Sequence, residues 1–176
     1  MPDLESVTVA VVATHGFDDD ELSSPIAAIT EAGGRALVVS TEAGEIESKK
    51  GSTVSVDVTT DMADAADFDC LLLPGGTKNA DTIRTDAHAV ALVKNLVEAG
   101  KPVGVICHGG WILSDADVLR GRTITSYHSM KTDLINAGAT WVDREVCVDG
   151  ALISSRTPAD LPAFNKEILR AFAAAH

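Results

Sequence analysis

The sequence has few basic residues for its length. Among 176 residues it contains 14 lysines and arginines against 26 aspartates and glutamates, giving a formal net charge of −12 and a pI near 4.6. A surface this acidic repels phosphate backbones and anionic lipid head groups. We therefore expect neither nucleic acid nor a membrane surface among its partners.

Long apolar segments are also missing. No apolar run approaches the ~18 to 20 residues that a membrane-spanning helix needs, and the acidic residues 1–5 lack the basic-then-apolar pattern of a secretion signal. Hydrophobic residues make up 45% of the chain and charged residues 23%, the balance of a globular protein with a core. We expect a cytoplasmic protein with one domain over residues 1–176.

Cysteine is scarce. The three cysteines, Cys70, Cys107 and Cys147, are odd in number and far apart in the sequence. This distribution argues against a disulfide framework and a Cys-x-x-Cys metal site. The five histidines show no metal-ligand spacing either. We expect a reduced chain with no metal and no cofactor, in which one cysteine is free to react.

Short apolar segments alternate with amphipathic ones along the chain. The β-branched segment at residues 7–13 is typical of a strand buried on both faces, and the apolar stripe at residues 86–99 is typical of a helix. Further strands are predicted at 35–40, 69–73, 102–106 and 123–126, with a polar β excursion at 45–58 and a hairpin at 146–154. Further helices are predicted at 20–32, 107–119, 131–136 and 160–175, with a helical turn at 63–68. This alternation predicts an α/β three-layer sandwich with a mostly parallel central sheet and helices on both faces.

Reactive groups gather at the carboxyl ends of the strands in such a sheet, which directs attention to residues 14–21, 74–81 and 107–110. Cys107 directly follows a predicted strand and begins a predicted helix, the layout of a nucleophile elbow, although Val105 replaces the usual glycine. A sharp turn and a helix N-terminus both lower the pKa of a thiol. The alternative is a buried structural cysteine at a strand end.

Backbone groups near Cys107 are candidates for an oxyanion hole. The amide of His108, with an amide from Pro74-Gly75-Gly76, could hold a developing oxyanion. The alternative for Pro-Gly-Gly is a tight turn and nothing more. Adjacent residues on a sharp turn often point apart, so the sequence leaves a contact between the His108 ring and the thiol open.

One of four consecutive acids, Asp18 to Glu21, could face the thiol. A solvated cap at the start of a helix is the ordinary role for such an acid. A carboxyl group turned inward would instead have a raised pKa and could donate a hydrogen bond to a thiolate. Cys70 and Cys147 are interpreted as core residues. His15 and His128 could line the cleft, but the favoured interpretation for each is a residue with no part in the chemistry.

Several fragments together resemble one family, the PfpI family of intracellular cysteine proteases, which is related to the parkinsonism-associated deglycase and the class I glutamine amidotransferase domain. The most specific fragment is Ile106-Cys107-His108-Gly109. Other fragments, in matching order, include Phe17-Asp18-Asp19-Asp20-Glu21-Leu22, Leu72-Leu73-Pro74-Gly75-Gly76, Gly100-Lys101-Pro102-Val103, Leu119-Arg120-Gly121-Arg122, Thr125-Ser126-Tyr127, Asn136-Ala137-Gly138-Ala139 and Ser154-Ser155-Arg156-Thr157-Pro158.

The resemblance implies a flavodoxin-like fold, a Cys107 nucleophile and Glu21 as the carboxyl group against the thiol. It also implies a dimer or hexamer in which an acid of the neighbouring subunit orients His108, and Asp81 holds the matching position. Asp is one methylene shorter than the usual Glu. The oxyanion-binding and substrate-binding positions are then Gly75, Gly76, Gly109 and Tyr127. Two positions depart from the common pattern, since Gly110 and His128 stand where proline is frequent.

The resemblance leaves the reaction open. The favoured interpretation is addition of Cys107 to a small carbonyl such as methylglyoxal or glyoxal, or to its adducts on proteins and peptides, as in glyoxalases and deglycases. One alternative is an intracellular cysteine peptidase. Another is a redox sensor or chaperone in which Cys107 is oxidised without turnover.

Overall fold

The computed structural model describes residues 1–175. This part of the chain contains eleven strands and six α-helices. The strands are β1 (Thr8–Val12), β2 (Arg35–Ser40), β3 (Glu45–Glu47), β4 (Thr53–Ser55), β5 (Val58–Thr59), β6 (Cys70–Leu73), β7 (Val103–Ile106), β8 (Thr123–Ile124), β9 (Thr140–Trp141), β10 (Val146–Asp149) and β11 (Leu152–Ser155). The helices are α1 (Asp19–Glu31), α2 (Thr77–Ile83), α3 (Ala87–Glu98), α4 (Trp111–Asp115), α5 (Lys131–Asn136) and α6 (Leu161–Ala173).

Seven strands form the central sheet in the order β10-β11-β7-β6-β1-β2-β5. All neighbouring pairs are parallel except β10 and β11, which form the predicted hairpin. Strand β2 lies beside β1 on one side, and β6, which follows later in the chain, lies beside β1 on the other side. Reversal of strand order next to β1 opens a crevice at the carboxyl ends of β1, β6 and β7.

Helices cover both faces of the sheet, as the alternating pattern predicts. One face packs against α1 and α6 through apolar side chains such as Leu22, Ile29, Phe164 and Ile168. The other face packs against α3, α4 and α5. The central strands β1, β6 and β7 are buried almost throughout, which explains why they consist of continuous apolar residues. Within residues 1–175, no helix has both the length and the apolar composition needed to cross a bilayer.

Two local predictions need correction, and one helix was missed. The helix expected at 107–119 is a 3₁₀ turn, Cys107–Gly110, followed by the short α4, because the chain leaves helical geometry before Asp117, which has a φ of 55°. The strand expected at 123–126 is limited to β8, which pairs with β9 outside the central sheet. Helix α2 was not predicted, since it has seven residues and no side-chain cap at its start.

Candidate active site

Cys107 occupies a strained turn at the carboxyl end of β7. Its φ of 59° lies in the left-handed region, which costs residues with a β-carbon about 1 to 3 kcal/mol and is concentrated at functional sites. Ile106 before it is extended, and Cys107 begins the 3₁₀ turn. The backbone N–H of Tyr127 donates to the Cys107 carbonyl at 3.3 Å. The predicted elbow is therefore present, and the half-buried thiol lines a cleft.

The structure separates Glu21 from the three aspartates before it. Asp18 caps α1 by accepting hydrogen bonds from the backbone N–H groups of Asp20 and Glu21. Asp19 binds Ser48 at 2.6 Å, and Asp20 is exposed. Glu21 is 1% exposed and turns into the protein against the loop that follows β6.

Burial changes the protonation of Glu21. Desolvation, followed by the negative charge of Asp18, raises the pKa of this carboxyl group to about 8. Both carboxyl oxygens are buried, and neither has a hydrogen bond of regular geometry within residues 1–175. Glu21 is thus mostly protonated at pH 7 and presents a neutral carboxylic acid to the Cys107 thiol.

The His108 ring contacts the Cys107 thiol despite the sharp turn. Nδ1 of His108 lies 3.3 Å from Sγ of Cys107. Burial, with the charge of His128 and of Lys49, lowers the pKa of His108, so the imidazole is neutral at pH 7 and free to accept a proton.

The expected lowering of the thiol pKa is wrong. Burial, with the negative charge of Glu21 when it is ionised, raises the pKa of Cys107, and the backbone N–H of His108 offsets only part of this rise. The helix after the thiol is too short to reverse the effect of burial, since α4 contains five residues. Because Glu21 and Cys107 titrate together, a protonated Glu21 removes the charge that opposes the thiolate. At rest the pair at the elbow is a thiol and a neutral imidazole.

Aromatic rings fix the orientation of His108. Tyr127 stacks on it with ring centroids 4.8 Å apart, and Trp111 meets its edge at 5.3 Å. His128 tilts against the outer side of Tyr127 at 4.4 Å and is exposed. His15 lies elsewhere, with its Nδ1 accepting the backbone N–H of Glu47 at 3.1 Å.

Glycine is required where the loop after β6 meets the thiol. A β-carbon on Gly75 would overlap Oε1 of Glu21 and lie 2.9 Å from Cβ of Cys107. Gly76 has a φ of 92°, and a β-carbon there would lie 2.7 Å from the Asp18 nitrogen. Glycine is therefore needed at both positions because the loop packs closely against the site, and not only because the chain turns there.

Asn79, on α2, braces the glycine loop. Its side chain is 1% exposed, accepts from the backbone N–H of Thr14 at 2.7 Å, and donates to the carbonyls of Pro74 and Gly75 at 3.2 and 3.0 Å. The loops after β1 and β6 are thereby held together. Sequence reasoning missed this residue because α2 itself was not predicted.

The cleft around Cys107 has a volume of about 340 Å³. Sequence reasoning placed Glu21, Gly76, Cys107, His108 and Tyr127 there, and all five line it. Two further lining residues, Asp18 and Thr77, lie in the expected segments 14–21 and 74–81. Sequence reasoning did not place Lys49, Thr157 and Pro158 there, because they come from two separate segments whose approach to the thiol depends on tertiary packing. Gly109 lies behind the cleft, where a β-carbon would be 2.5 Å from the Leu73 carbonyl oxygen.

Asp81 does not reach the site within its own chain. It is exposed on α2, and in the described part of the chain no carboxylate is hydrogen-bonded to His108.

The other cysteines occupy the core. Cys70 is fully buried, and burial followed by the charge of Asp69 raises the pKa of its thiol to about 12. Cys147 is 3% exposed, and burial raises the pKa of its thiol as well. Neither lines the cleft, which agrees with their interpretation as packing residues. Among residues 1–175 no cluster of His, Cys, Asp and Glu has the arrangement of a metal site.

The sequence is similar to those of known proteins over nearly the whole chain. The model of the DJ-1/PfpI family matches residues 7–171. YraA of Bacillus subtilis (strain 168), whose name describes a candidate cysteine protease, is 46% identical over 93% of this chain and 97% of its own. Deglycase TK1284 of Thermococcus kodakarensis is 44% identical, over 92% and 97%. Protein/nucleic acid deglycase 2 of Escherichia coli (strain K12) is 44% identical, over 94% and 97%.

Solved structures share the fold. A two-domain protein of Anabaena variabilis with DJ-1/ThiJ/PfpI-like and ferritin-like domains superposes with a TM-score of 0.91 and 34% identity, covering 94% of this chain and 48% of the two-domain chain. DJ-1beta of Drosophila melanogaster superposes with a TM-score of 0.88 and 26% identity, covering 96% of this chain and 91% of that one.

Proposed function

The chain belongs to the DJ-1/PfpI family, and on that premise we propose that it is a cysteine-dependent enzyme acting on small carbonyl compounds and their adducts, as glyoxalases and deglycases do. The observation that carries the proposal is the contact of the Cys107 thiol with the neutral His108 imidazole, 3.3 Å away, beside a buried Glu21 that retains its proton. The deglycase names of two relatives support it.

The first step is attack of Cys107 on a carbonyl carbon. As the Sγ–C bond forms, the thiol proton passes to Nδ1 of His108, and the carbonyl π electrons move to oxygen. In this proposal the backbone N–H groups of His108 and Gly76 stabilise the oxyanion. Return of a proton to the oxygen gives a hemithioacetal when the substrate is an aldehyde.

Later steps need one proton carrier and one water. With methylglyoxal, the neutral His108 imidazole takes the proton from C1, and a proton is then added at C2 by His108 or by the carboxylic acid of Glu21, which converts the hemithioacetal to a thioester. Water then hydrolyses the thioester, giving lactate and restoring the thiol. With an adduct on an amine, Cys107 forms the same carbon–sulfur bond while the amine departs with a proton.

Two other functions fit less well. The cleft of about 340 Å³ suits small substrates, whereas a peptidase needs an extended groove. A redox sensor needs a ready thiolate, and burial raises the pKa of the Cys107 thiol. The peptidase remains the second candidate, because the thiol–imidazole pair is also its chemistry and the name of YraA points to it.

The test is a parallel assay of both activities on the purified protein and Cys107→Ala. We expect lactate from methylglyoxal, little or no cleavage of casein or fluorogenic peptides, and at least ~10³-fold less lactate from the variant. Peptide cleavage without lactate would assign the peptidase instead, and equal lactate from the variant would exclude this cleft as the site.

Assembly and location are part of the proposal. We propose that the chain forms a dimer or hexamer in which Asp81 of one subunit approaches His108 of its neighbour, as the sequence resemblance implies. The exposed position of Asp81 supports this arrangement. We also propose that the protein works in a reducing cytoplasm, which suits its three unpaired cysteines.

A further inference from the structure

The hairpin formed by β3 and β4 is tied to the start of α1. Ser48, at its tip, is only 5% exposed, and its hydroxyl donates to Asp19 at 2.6 Å. The same hydroxyl accepts from the backbone N–H groups of Lys50 and Ser52 at 3.2 and 3.0 Å. A buried, threefold-bonded serine in a surface turn fixes the residue beside it, Lys49.

Lys49 reaches from this tip into the cleft. Its backbone N–H donates to the Phe17 carbonyl at 3.0 Å, and its ammonium group lies 2.5 Å from Asp18. The side chain is 52% exposed, whereas that of Asp18 is 9% exposed. Lys49 lines the same cleft as Cys107. An ammonium group has three donors, so one serves Asp18 and the others are available to a ligand.

The charges in the cleft differ from those of the whole chain. The chain carries −12, but in the cleft Asp18 is balanced by Lys49, and Glu21 and His108 are neutral at pH 7. Most of the acidic surface therefore repels an anion, whereas the cleft has no net charge and presents the half-exposed ammonium group of Lys49.

We propose that Lys49 binds a carboxylate group of the substrate, so that the cleft favours carbonyl compounds and adducts that carry a carboxylate near the reacting carbon. This inference rests on the proposed function and names a substrate class for the same cleft. The competing explanation is that Lys49 only neutralises Asp18 and holds the hairpin.

Alkylation of Cys107 tests the subsite without turnover. Iodoacetate and iodoacetamide react with the thiolate by the same displacement and differ in one charge, so a change in thiolate fraction cancels in the ratio of their rates. Mass spectrometry follows Cys107 alone. We expect Lys49→Met to lower the iodoacetate-to-iodoacetamide ratio about three- to tenfold, and Lys49→Arg to keep it within about twofold.

Lys50 supplies the matched control, since it is the next residue, exposed and outside the cleft. Lys50→Met makes the same change in net charge and should leave the ratio within about twofold. An unchanged ratio in Lys49→Met, or an equal fall in Lys50→Met, would overturn the proposal.

The competing explanation is tested in a background without the Asp18 charge. Asn also caps helices well, so Asp18→Asn keeps α1 capped. If Lys49 binds the anion itself, adding Lys49→Met to Asp18→Asn lowers the ratio again. If Lys49 only balances Asp18, the second substitution changes nothing, and the proposal fails.

Substrate pairs then connect the subsite to turnover. The hemithioacetal of methylglyoxal with N-acetylcysteine carries a carboxylate, and that with N-acetylcysteine amide does not. We expect kcat/KM to favour the acid severalfold in the wild type and to lose this preference in Lys49→Met. If neither compound is consumed, the proposed function is wrong, while the alkylation ratio still decides whether the anion subsite exists.

Discussion

At neutral pH the groups around Cys107 each hold the proton state that its reaction needs. Glu21, with a pKa near 8, keeps its proton, and His108, with a lowered pKa, is a neutral base 3.3 Å from the thiol. The thiol keeps its own proton because burial raises its pKa. Proton transfer therefore accompanies attack on the substrate, in place of a preformed ion pair.

Glu21 should make stability depend on pH. Its pKa is about 8 in the folded protein against an ordinary value of 4.5, so between these values the folded state holds a proton that the unfolded state releases. The stabilisation is fully present below pH 4.5 and declines as pH rises to 8. We expect the wild type to lose up to about 5 kcal/mol of unfolding free energy across this range relative to Glu21→Gln. Urea unfolding of both proteins at pH 5 and pH 8.5 measures this, and parallel pH dependences would contradict it.

The site residues that could be predicted from the sequence are those whose residue type and position at a strand end are typical of a catalytic site. Cys107 follows a buried strand and Gly75 and Gly76 form a glycine loop, so their positions were predictable. Glu21 could be separated from its aspartate neighbours only by family resemblance, because the direction in which a helix start faces depends on packing. Lys49 and Asn79 carry no such signal, since each reaches the site through contacts distant in sequence.

Among the elements, the hairpin of β3 and β4 depends on Ser48. We expect Ser48→Ala to reduce the unfolding free energy by about 1 to 3 kcal/mol, since it removes the hydroxyl that donates to Asp19 and accepts from two backbone N–H groups. Trypsin should then cut faster after Lys49 and Lys50, which digestion under native conditions measures. Ser55→Ala is the control, since it removes the hydroxyl of an exposed serine on β4 of the same hairpin. Equal digestion rates for both variants and the wild type would show that the hydroxyl does not anchor the hairpin.

The two glycine-containing turns at the site should respond differently to alanine. In Gly75→Ala the β-carbon overlaps Glu21 and crowds Cys107, and we expect a loss of about 1 to 3 kcal/mol or more together with loss of activity. Gly110 has a φ of −74°, and its nearest neighbour to a β-carbon is Met130 at 3.7 Å. Gly110→Ala should fold as stably as the wild type or up to about 1 kcal/mol better. Thermal unfolding and activity of both variants check this, and tolerance of Gly75→Ala would contradict the tight packing.

Strands and helices were predicted correctly where the burial of apolar side chains alone determines the sequence pattern. The strands β1, β6 and β7 are continuous apolar segments because both faces are buried, and α3 shows a clear stripe. The short α2 has neither a long stripe nor a side-chain cap. The pairing of β8 with β9 joins segments about 17 residues apart, and local sequence does not encode such a pairing.

At the scale of the whole molecule, the proposed assembly makes the site a shared one. If Asp81 orients His108 of a neighbouring subunit, Asp81→Asn should reduce kcat, and Asp81→Glu should retain it. Mixing Asp81→Asn with Cys107→Ala subunits should then restore activity, since the second subunit supplies Asp81 to the His108 that lies beside the intact Cys107 of the first. Asp61→Asn, another exposed acid, is the control for surface charge. Light scattering checks the assembly, and a monomer, or no recovery on mixing variants that exchange subunits, would contradict a shared site.

The central claim is that Cys107 forms a covalent bond with a small carbonyl and returns it as a hydroxy acid. Nuclear magnetic resonance with ¹³C-labelled methylglyoxal tests it most directly. We predict a protein-bound hemithioacetal or thioester carbon signal followed by labelled lactate in the wild type, and neither signal in Cys107→Ala. Labelled lactate formed at the same rate by Cys107→Ala would contradict the account.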